Sequence, residues 1–201
     1  MKKLLLILFC LPTFIYSQTN IGGVISANQT WTIAGSPYTV TDNVLVNSGV
    51  TLIIEAGVIV KFNLSKFLQI DGELIAQGTS SNKITFTSNQ SSPESGDWGG
   101  IKFTGSSVDA VYNSNDNYVS GSIVQYSNIE YCGGSLDAAV IIDGAHPYIV
   151  NNIITKSISI GIYATNLGNQ SGADDLFFIK NNIISNNNNT GIVIYVGNVN
   201  L

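Results

Sequence analysis

The heptapeptide YIVNNII at residues 148–154 returns as FIKNNII at residues 178–184. A shorter form of the motif, Ser127-Asn128-Ile129, precedes both copies, so the isoleucine landmark recurs after 24 residues (129 to 153) and again after 30 (153 to 183). A second landmark, Gly161-Ile162-Tyr163, matches Gly191-Ile192-Val193 with the same 30-residue step. Two landmarks that keep one register indicate a repeating structural unit.

A unit of this length with short strands is typical of one coil of a solenoid, in which each strand hydrogen-bonds to its copies in the neighbouring coils. All strands are then parallel, and equivalent side chains stack along the axis. The repeat predicts two interior columns. They contain, respectively, Ile129, Ile153 and Ile183, and Ala138, Ile162 and Ile192.

The paired asparagines are expected to lie at a corner of the coil. Asparagine tolerates left-handed backbone, and its amide both donates and accepts hydrogen bonds, so a stacked amide ladder is predicted there. The extra residues of the longer unit fall at 166–175, where Asn, Gly, Ser and Asp predict a loop.

The first half of the chain alternates apolar and polar residues with a period of two, as half-buried strands do. The interior residues predicted from this alternation are Val58, Val60, Phe62, Leu68, Ile70, Ile84, Phe86, Ile101 and Phe103. The connections at 47–49, 55–57 and 71–72 are too short for crossover helices. A sandwich of hairpins also has such strands, but only the solenoid explains the repeat. An all-β fold is therefore expected.

Residues 1–17 are typical of an export signal. Lys2 and Lys3 precede an apolar run, and cleavage is expected after Ser17. Pro12 interrupts the run, which is shorter than a bilayer span requires, and bulky Phe9 before Cys10 disfavours lipid attachment. Residues 18–201 are expected to form one domain: an N-terminal cap and opening coils to about 104, a loop at 105–121, and repeat coils from 122.

The charged residues exclude one class of partner. The chain has 13 Asp plus Glu against 8 Lys plus Arg, and every cation is lysine. An acidic protein without arginine lacks the basic surface that contacts phosphates, so nucleic acid is not an expected partner. The apolar content of 44% is too high for a disordered chain.

The opening half also resembles a known family. The stretches GVTLIIEAGVIVKF (49–62), LQIDGELIAQGT (68–79), KITFTS (83–88) and DWGGIKF (97–103) are similar to the first coils of secreted bacterial right-handed parallel β-helix proteins of the pectin-lyase-like superfamily. The Asn-led repeats resemble the parallel β-helix repeats of the same proteins. The resemblance implies a right-handed winding, an extracellular or cell-surface setting, and a superfamily that often acts on polysaccharides.

None of the superfamily's catalytic sets is present. Its pectate lyases use a basic residue, usually arginine, with aspartate-bound calcium, and its polygalacturonases pair Asp-Asp with Gly-His-Gly and Arg-Ile-Lys motifs. Asp174-Asp175 is the one matching element here, and a solvated loop tip is the competing interpretation. His146 before Pro147 fits a corner residue better than a general base. Cys132 has no nearby histidine and is expected to be a buried small hydrophobe.

Two further sets of residues are weaker candidates. Asp137 and Asp143 flank a strand and offer oxygen ligands for calcium, without the spacing of a dedicated loop. No other cofactor is expected. Trp98, Tyr112 and Tyr118 are candidates for a sugar-stacking surface, although Trp98 beside two glycines also fits packing at a corner.

The sequence predicts a secreted or cell-surface β-helix module that binds glycan or a surface partner without catalysis. A polysaccharide lyase or glycoside hydrolase is the alternative, and a structural spacer in a longer surface protein is a third. The last coil ends without a polar cap, so the expectation is a C-terminally incomplete helix that self-associates end to end.

Overall fold

Short parallel strands dominate the computed structural model, which describes residues 18–115, 117–167 and 179–195. The predicted signal at 1–17 lies outside these ranges. A single 3-10 turn at Ile33–Gly35 is the helical element among the described residues, and none of them forms a helix long and apolar enough to cross a membrane. The strands are β1 (Thr19–Ile25), β2 (Gln29–Trp31), β3 (Tyr38–Val46), β4 (Thr51–Ile54), β5 (Ile59–Phe62), β6 (Leu68–Ile70), β7 (Glu73–Gln77), β8 (Ile84–Ser88), β9 (Ile101–Thr104), β10 (Val111–Tyr112), β11 (Tyr118–Ser120), β12 (Ile123–Gln125), β13 (Ser127–Glu130), β14 (Ala138–Asp143), β15 (Tyr148–Val150), β16 (Ile153–Thr155), β17 (Ile160–Thr165), β18 (Ile179–Lys180), β19 (Ile183–Ser185) and β20 (Ile192–Ile194).

The strands wind around one axis and form three faces. Face A contains β2, β4, β7, β12, β15 and β18. Face B contains the first half of β3 followed by β5, β8, β13, β16 and β19, and face C contains the second half of β3 followed by β6, β9, β14, β17 and β20. Each passage through A, B and C is one coil, and we number the coils 1 to 6. All pairs are parallel except the β10–β11 hairpin, so the described chain is a parallel β-helix as predicted.

The interior consists of stacked apolar columns. Strand residues alternate between interior and solvent, and β-branched side chains pack well on such a surface. The side chains predicted from the period-two alternation, from Val58 to Phe103, are all fully buried. Three columns run along faces B and C: Tyr38, Val60, Phe86, Ile129, Ile154 and Ile184; Val44, Leu68, Ile101, Val140, Ile162 and Ile192; and Val46, Ile70, Phe103, Ile142, Ala164 and Ile194.

The predicted Ile129 column is wrong by one residue. Ile153 and Ile183 pair with each other, but both point outward, and Ile183 is 60% exposed. Ile129 pairs with Ile154, whose side chain is fully buried. A slip of one residue moves a side chain to the other side of the sheet. The step from coil 4 to coil 5 is therefore 25 residues on face B, from Ile129 to Ile154.

The second predicted column needs a smaller correction. Ile162 pairs with Ile192 as expected, but its partner in coil 4 is Val140, two residues beyond Ala138. Ala138 pairs with Ile160. The coil-to-coil step differs between faces because the connections between strands differ in length, so one step carried along the sequence cannot align both faces.

Left-handed residues make the corner between faces A and B in coils 4 to 6. Tyr126, Asn151 and Asn181 have φ of 46°, 57° and 55°. Left-handed backbone costs most residues about 1–2 kcal/mol and is easier for asparagine. The corner position is defined by this conformation, and coil 4 fills it with tyrosine. That substitution explains why matching asparagines along the sequence misplaced the register.

The residue after each left-handed corner forms the predicted amide ladder. The Oδ1 of Asn152 accepts from the Ser127 amide (2.8 Å), and its Nδ2 donates to the Val124 carbonyl (2.8 Å). Asn182 repeats the pattern one coil on, accepting from the Asn152 amide (2.9 Å) and donating to the Ile149 carbonyl (2.8 Å). Asn152 is 1% exposed, so its amide satisfies backbone groups that water does not reach.

The corrected register predicts opposite costs for two adjacent isoleucines. We expect Ile154→Ala to lower the free energy of unfolding by about 2–5 kcal/mol, because it empties a buried site. We expect Ile153→Ala to cost less than about 1 kcal/mol, because that side chain faces outward. Urea unfolding of both variants measures the difference. A larger loss for Ile153→Ala would restore the register taken from the repeat.

The ladder predicts a second difference in stability. Asn152→Ala leaves the Ser127 amide and the Val124 carbonyl buried without their partner, which costs about 2 kcal/mol or more. Asn128 lies outward on face B and is the matched control, with an expected cost within about 0.5 kcal/mol for Asn128→Ala. Thermal and urea unfolding followed by circular dichroism measure both. Equal losses would show that the ladder contributes nothing specific.

Candidate functional site

A long excursion separates coil 3 from coil 4, at the position expected to be a loop. It leaves β9 after Thr104 and contains the β10–β11 hairpin. Its backbone bonds to successive corners of the helix: the Val108 amide donates to the Gly72 carbonyl (2.9 Å), and the Ala110 amide donates to the His146 carbonyl (2.9 Å). The excursion therefore lies along the corner between faces C and A.

Three tyrosines hold this hairpin against face A. The ring of Tyr118 stacks on Tyr148 with centroids 5.9 Å apart, and Tyr112 meets Tyr148 edge-on at 5.3 Å. The Tyr118 hydroxyl donates to the Gly121 carbonyl (2.6 Å), and the Tyr112 hydroxyl oxygen is buried. Burial raises the pKa of both phenols, so both remain neutral donors. Tyr112 and Tyr118 pack inward, and their predicted role as a sugar platform is not supported by this arrangement.

His146 belongs to the same region and is paired with Asp109. The Asp109 carboxylate accepts from the His146 backbone amide (2.8 Å), and its other oxygen lies 3.3 Å from Nδ1 of the ring. The Nε2 atom is buried. A general base must reach the proton that it removes. With one nitrogen facing Asp109 and the other sheltered, His146 fits the corner role that the sequence also allowed.

Trp98 is a core residue. Its side chain is fully buried and stacks on Phe62, with ring centroids 4.0 Å apart and an angle of 8° between the planes. The indole Nε1 donates to the Glu130 carbonyl (2.8 Å). The sugar-stacking hypothesis for Trp98 is therefore wrong, and the alternative of packing at a corner describes what the ring does.

The structure does not bring the two calcium candidates together. Asp137 and Asp143 lie at opposite ends of β14, about 20 Å apart at the usual rise of a strand. Asp143 accepts from Asn166 Nδ2 (2.7 Å) and lies 3.2 Å from Lys102 Nζ. The Asn166 hydrogen bond and the Lys102 ammonium hold the pKa of Asp143 below its usual value. Across the described ranges, no group of three His, Cys, Asp or Glu side chains is placed to hold a metal ion.

The remaining candidates provide no exposed nucleophile or acid. Cys132 is completely buried, and burial raises the pKa of its thiol, as expected for a small hydrophobe in the core. Asp174 and Asp175 lie outside the described residues, as does most of the loop predicted at 166–175.

The sequence analysis missed a groove at the corner between faces A and B. We call it the corner groove. Its volume is about 260 Å³. It crosses coils 3 to 6, and its lining includes Lys83, Tyr126, Asn151, Ile153, Asn181 and Ile183. The signal that could have revealed it is the length of this corner, which is six residues (78–83) in coil 3 and a single left-handed residue, Tyr126, in coil 4.

Comparison with known proteins identifies the family. The family model described as a pectate-lyase-like beta helix domain matches residues 23–163, which is more than half of the 201 residues. The chain therefore belongs to the pectate-lyase-like β-helix domain family, in agreement with the resemblance of its opening coils. No curated protein and no solved structure matches the chain.

The tyrosine packing predicts how the excursion can be loosened. Tyr148→Ala removes the ring that both Tyr112 and Tyr118 contact, and each such pair contributes about 0.5–1.5 kcal/mol. We expect proteinase K cleavage within residues 105–121 to become about tenfold faster, with little change in the unfolding midpoint of the coils. Tyr163→Ala, on face C, is the control. Equal cleavage rates in the two variants would contradict the assignment.

Proposed function

We propose that this protein is an extracellular β-helix module that binds polysaccharide without cleaving it. The observation that carries the proposal is the corner groove. Four of its polar side chains, Lys83, Tyr126, Asn151 and Asn181, make no side-chain hydrogen bond or ion pair within the described ranges. They are available to a ligand, whereas His146, Tyr112 and Cys132 are paired or buried.

The chemistry of the groove supports binding over catalysis. Glycoside hydrolysis uses two carboxyl groups in fixed opposition, and the groove lining contains no Asp or Glu. Lyase chemistry needs a base together with a group that stabilises developing negative charge. Lys83 is the one charged residue of the lining and has no carboxylate or histidine beside it there. This set of residues can hold a sugar chain but offers no acid and base pair.

The geometry of the groove suits a polymer. Its residues come from consecutive coils, which repeat about every 4.8 Å along the axis. A ligand lying along the groove therefore meets equivalent groups at regular intervals, as a chain of repeating sugar units requires. Amides and a phenol hydrogen-bond to hydroxyl groups, and apolar side chains pack against the carbon faces of sugar rings.

The proposed location rests on two observations. Residues 2–9 combine two lysines with an apolar run, the pattern of an export signal. The chain also belongs to a β-helix domain family whose members are typically extracellular. Edman sequencing or mass spectrometry of the protein exported from its native host tests this proposal directly. A new N-terminus at Gln18 is expected, and retention of Met1 on a cytoplasmic protein would contradict it.

The function is tested by measuring binding and turnover on the same sample. Purified protein is run through native gels that contain soluble polysaccharides, neutral and acidic, and incubated with the same polymers with and without calcium. We expect retardation by at least one polymer, with no new reducing ends and no absorbance from unsaturated products. Turnover of any polymer would overturn the non-catalytic assignment, and the absence of retardation by every polymer would overturn binding.

A further inference from the structure

The corner groove exists because the corner between faces A and B changes length along the helix. In coil 3 it is the segment Gly78–Lys83, closed by hydrogen bonds between Thr79 and Asn82. Residues 79–82 are exposed, and Ser80 and Lys83 line one end of the groove. In coils 4 to 6 the corner is one left-handed residue. The longer corner makes a wall at one end, and the tight corners make the floor.

Close backbone contact fixes this wall in position. The Gly78 amide donates to the Gln125 carbonyl (2.9 Å), and the Ile84 amide donates to the Tyr126 carbonyl (3.2 Å). A Cβ on residue 78 would lie 2.4 Å from the Tyr126 carbonyl oxygen, so only glycine fits there. The wall and the Tyr126 corner are therefore held at a set distance, and the groove is built before any ligand arrives.

Tyr126 is an unusual residue for its position. Its φ of 46° lies in the left-handed region, where a bulky side chain is strained. The equivalent residues of the next two coils are asparagines, which adopt this conformation more easily. Strained residues of this kind cluster at binding sites, where the side chain compensates for its cost to the fold. At this corner the tyrosine supplies the aromatic ring of the groove.

The charges around the groove select the ligand class. The chain carries a net charge of −5, and a polyanion approaching it is repelled at long range. Lys83 alone offers one positive charge among otherwise neutral lining residues. Neutral amides, a phenol and two isoleucines favour a ligand that presents hydroxyl groups and carbon faces in place of charges.

We propose, on the basis of the function proposed above, that the corner groove binds a neutral polysaccharide lying parallel to the helix axis. Asn151 and Asn181 hydrogen-bond to hydroxyls of successive sugars, because their amides lie one coil apart. Ile153 and Ile183 are direct register partners on face B and pack against the carbon faces of the same sugars. Tyr126 contacts the next sugar towards the wall, where Lys83 donates to hydroxyl or ring oxygens.

The decisive variant separates binding from folding. Tyr126→Asn places at the corner the residue that coils 5 and 6 already use, so the fold should be as stable as before or more stable. The same change removes the ring from the groove. We expect the dissociation constant for a neutral polysaccharide to rise about three- to tenfold. Asn151→Gly keeps the left-handed backbone, removes the amide, and should weaken binding similarly.

A matched control lies at the corner between faces B and C. Tyr131 also has a left-handed backbone, with a φ of 64°, but it lies outside the groove and contacts Lys156. Tyr131→Asn makes the same chemical change in the same backbone conformation. We expect its affinity for polysaccharide to stay within about twofold of the unsubstituted protein.

The experiment measures the full chain and the three variants by affinity electrophoresis and calorimetry against glucomannan and mixed-linkage β-glucan as neutral polymers, and polygalacturonate and alginate as acidic ones. The expected result is binding of a neutral polymer that Tyr126→Asn and Asn151→Gly weaken and Tyr131→Asn does not. Binding that all three variants retain would overturn the groove assignment and leave the proposed function standing. Binding of acidic polymers alone would overturn the ligand class, and no binding at all would overturn the function together with the inference.

Discussion

The structure depends on where the chain turns between faces A and B. A parallel β-helix keeps its interior columns only if each coil enters face B at the same position, since a slip of one residue exchanges buried and exposed side chains. In coils 4 to 6 one left-handed residue sets that position, and in coils 5 and 6 the asparagine that follows bonds back to the preceding coil. The backbone conformation of Tyr126, Asn151 and Asn181 thus determines that Ile154 is buried and Ile153 is not.

The same corner creates the surface that we propose as functional. Coil 3 turns through six residues, and the later coils turn through one, so the outline of the helix steps inward between Lys83 and Tyr126. The step leaves polar side chains without partners on the described surface. By contrast, the excursion that carries His146's partner Asp109, together with Tyr112 and Tyr118, is consumed by its own packing against face A. Function is therefore assigned to a tight corner of the scaffold instead of its most elaborate loop.

Much of the fold could be predicted from the sequence because it follows from side-chain pattern alone. Alternation placed Val60 and Phe62 in the core, and the repeated Asn-Asn pair located the ladder. The register failed because it depends on a backbone angle that tyrosine adopts in coil 4 and asparagine in coils 5 and 6. The aromatic candidates failed for a different reason. Whether Trp98 stacks on a sugar or on Phe62 is decided by tertiary packing, to which the local sequence gives no guide. The groove arises from a difference between coils, so no single motif encodes it.

A pair of engineered disulfides tests the corner-determined register most directly. Facing residues in neighbouring strands lie within the distance that a disulfide spans. In a chain whose Cys10 and Cys132 are replaced by serine, the register predicts that Asn128→Cys with Ile153→Cys oxidises readily, because the two are outward partners on β13 and β16. Asn128→Cys with Asn152→Cys should remain reduced, because Asn152 is buried among its ladder partners. Peptide mapping by mass spectrometry reads the outcome. Preferential cross-linking of the second pair would show that matched asparagines set the register and would contradict the account.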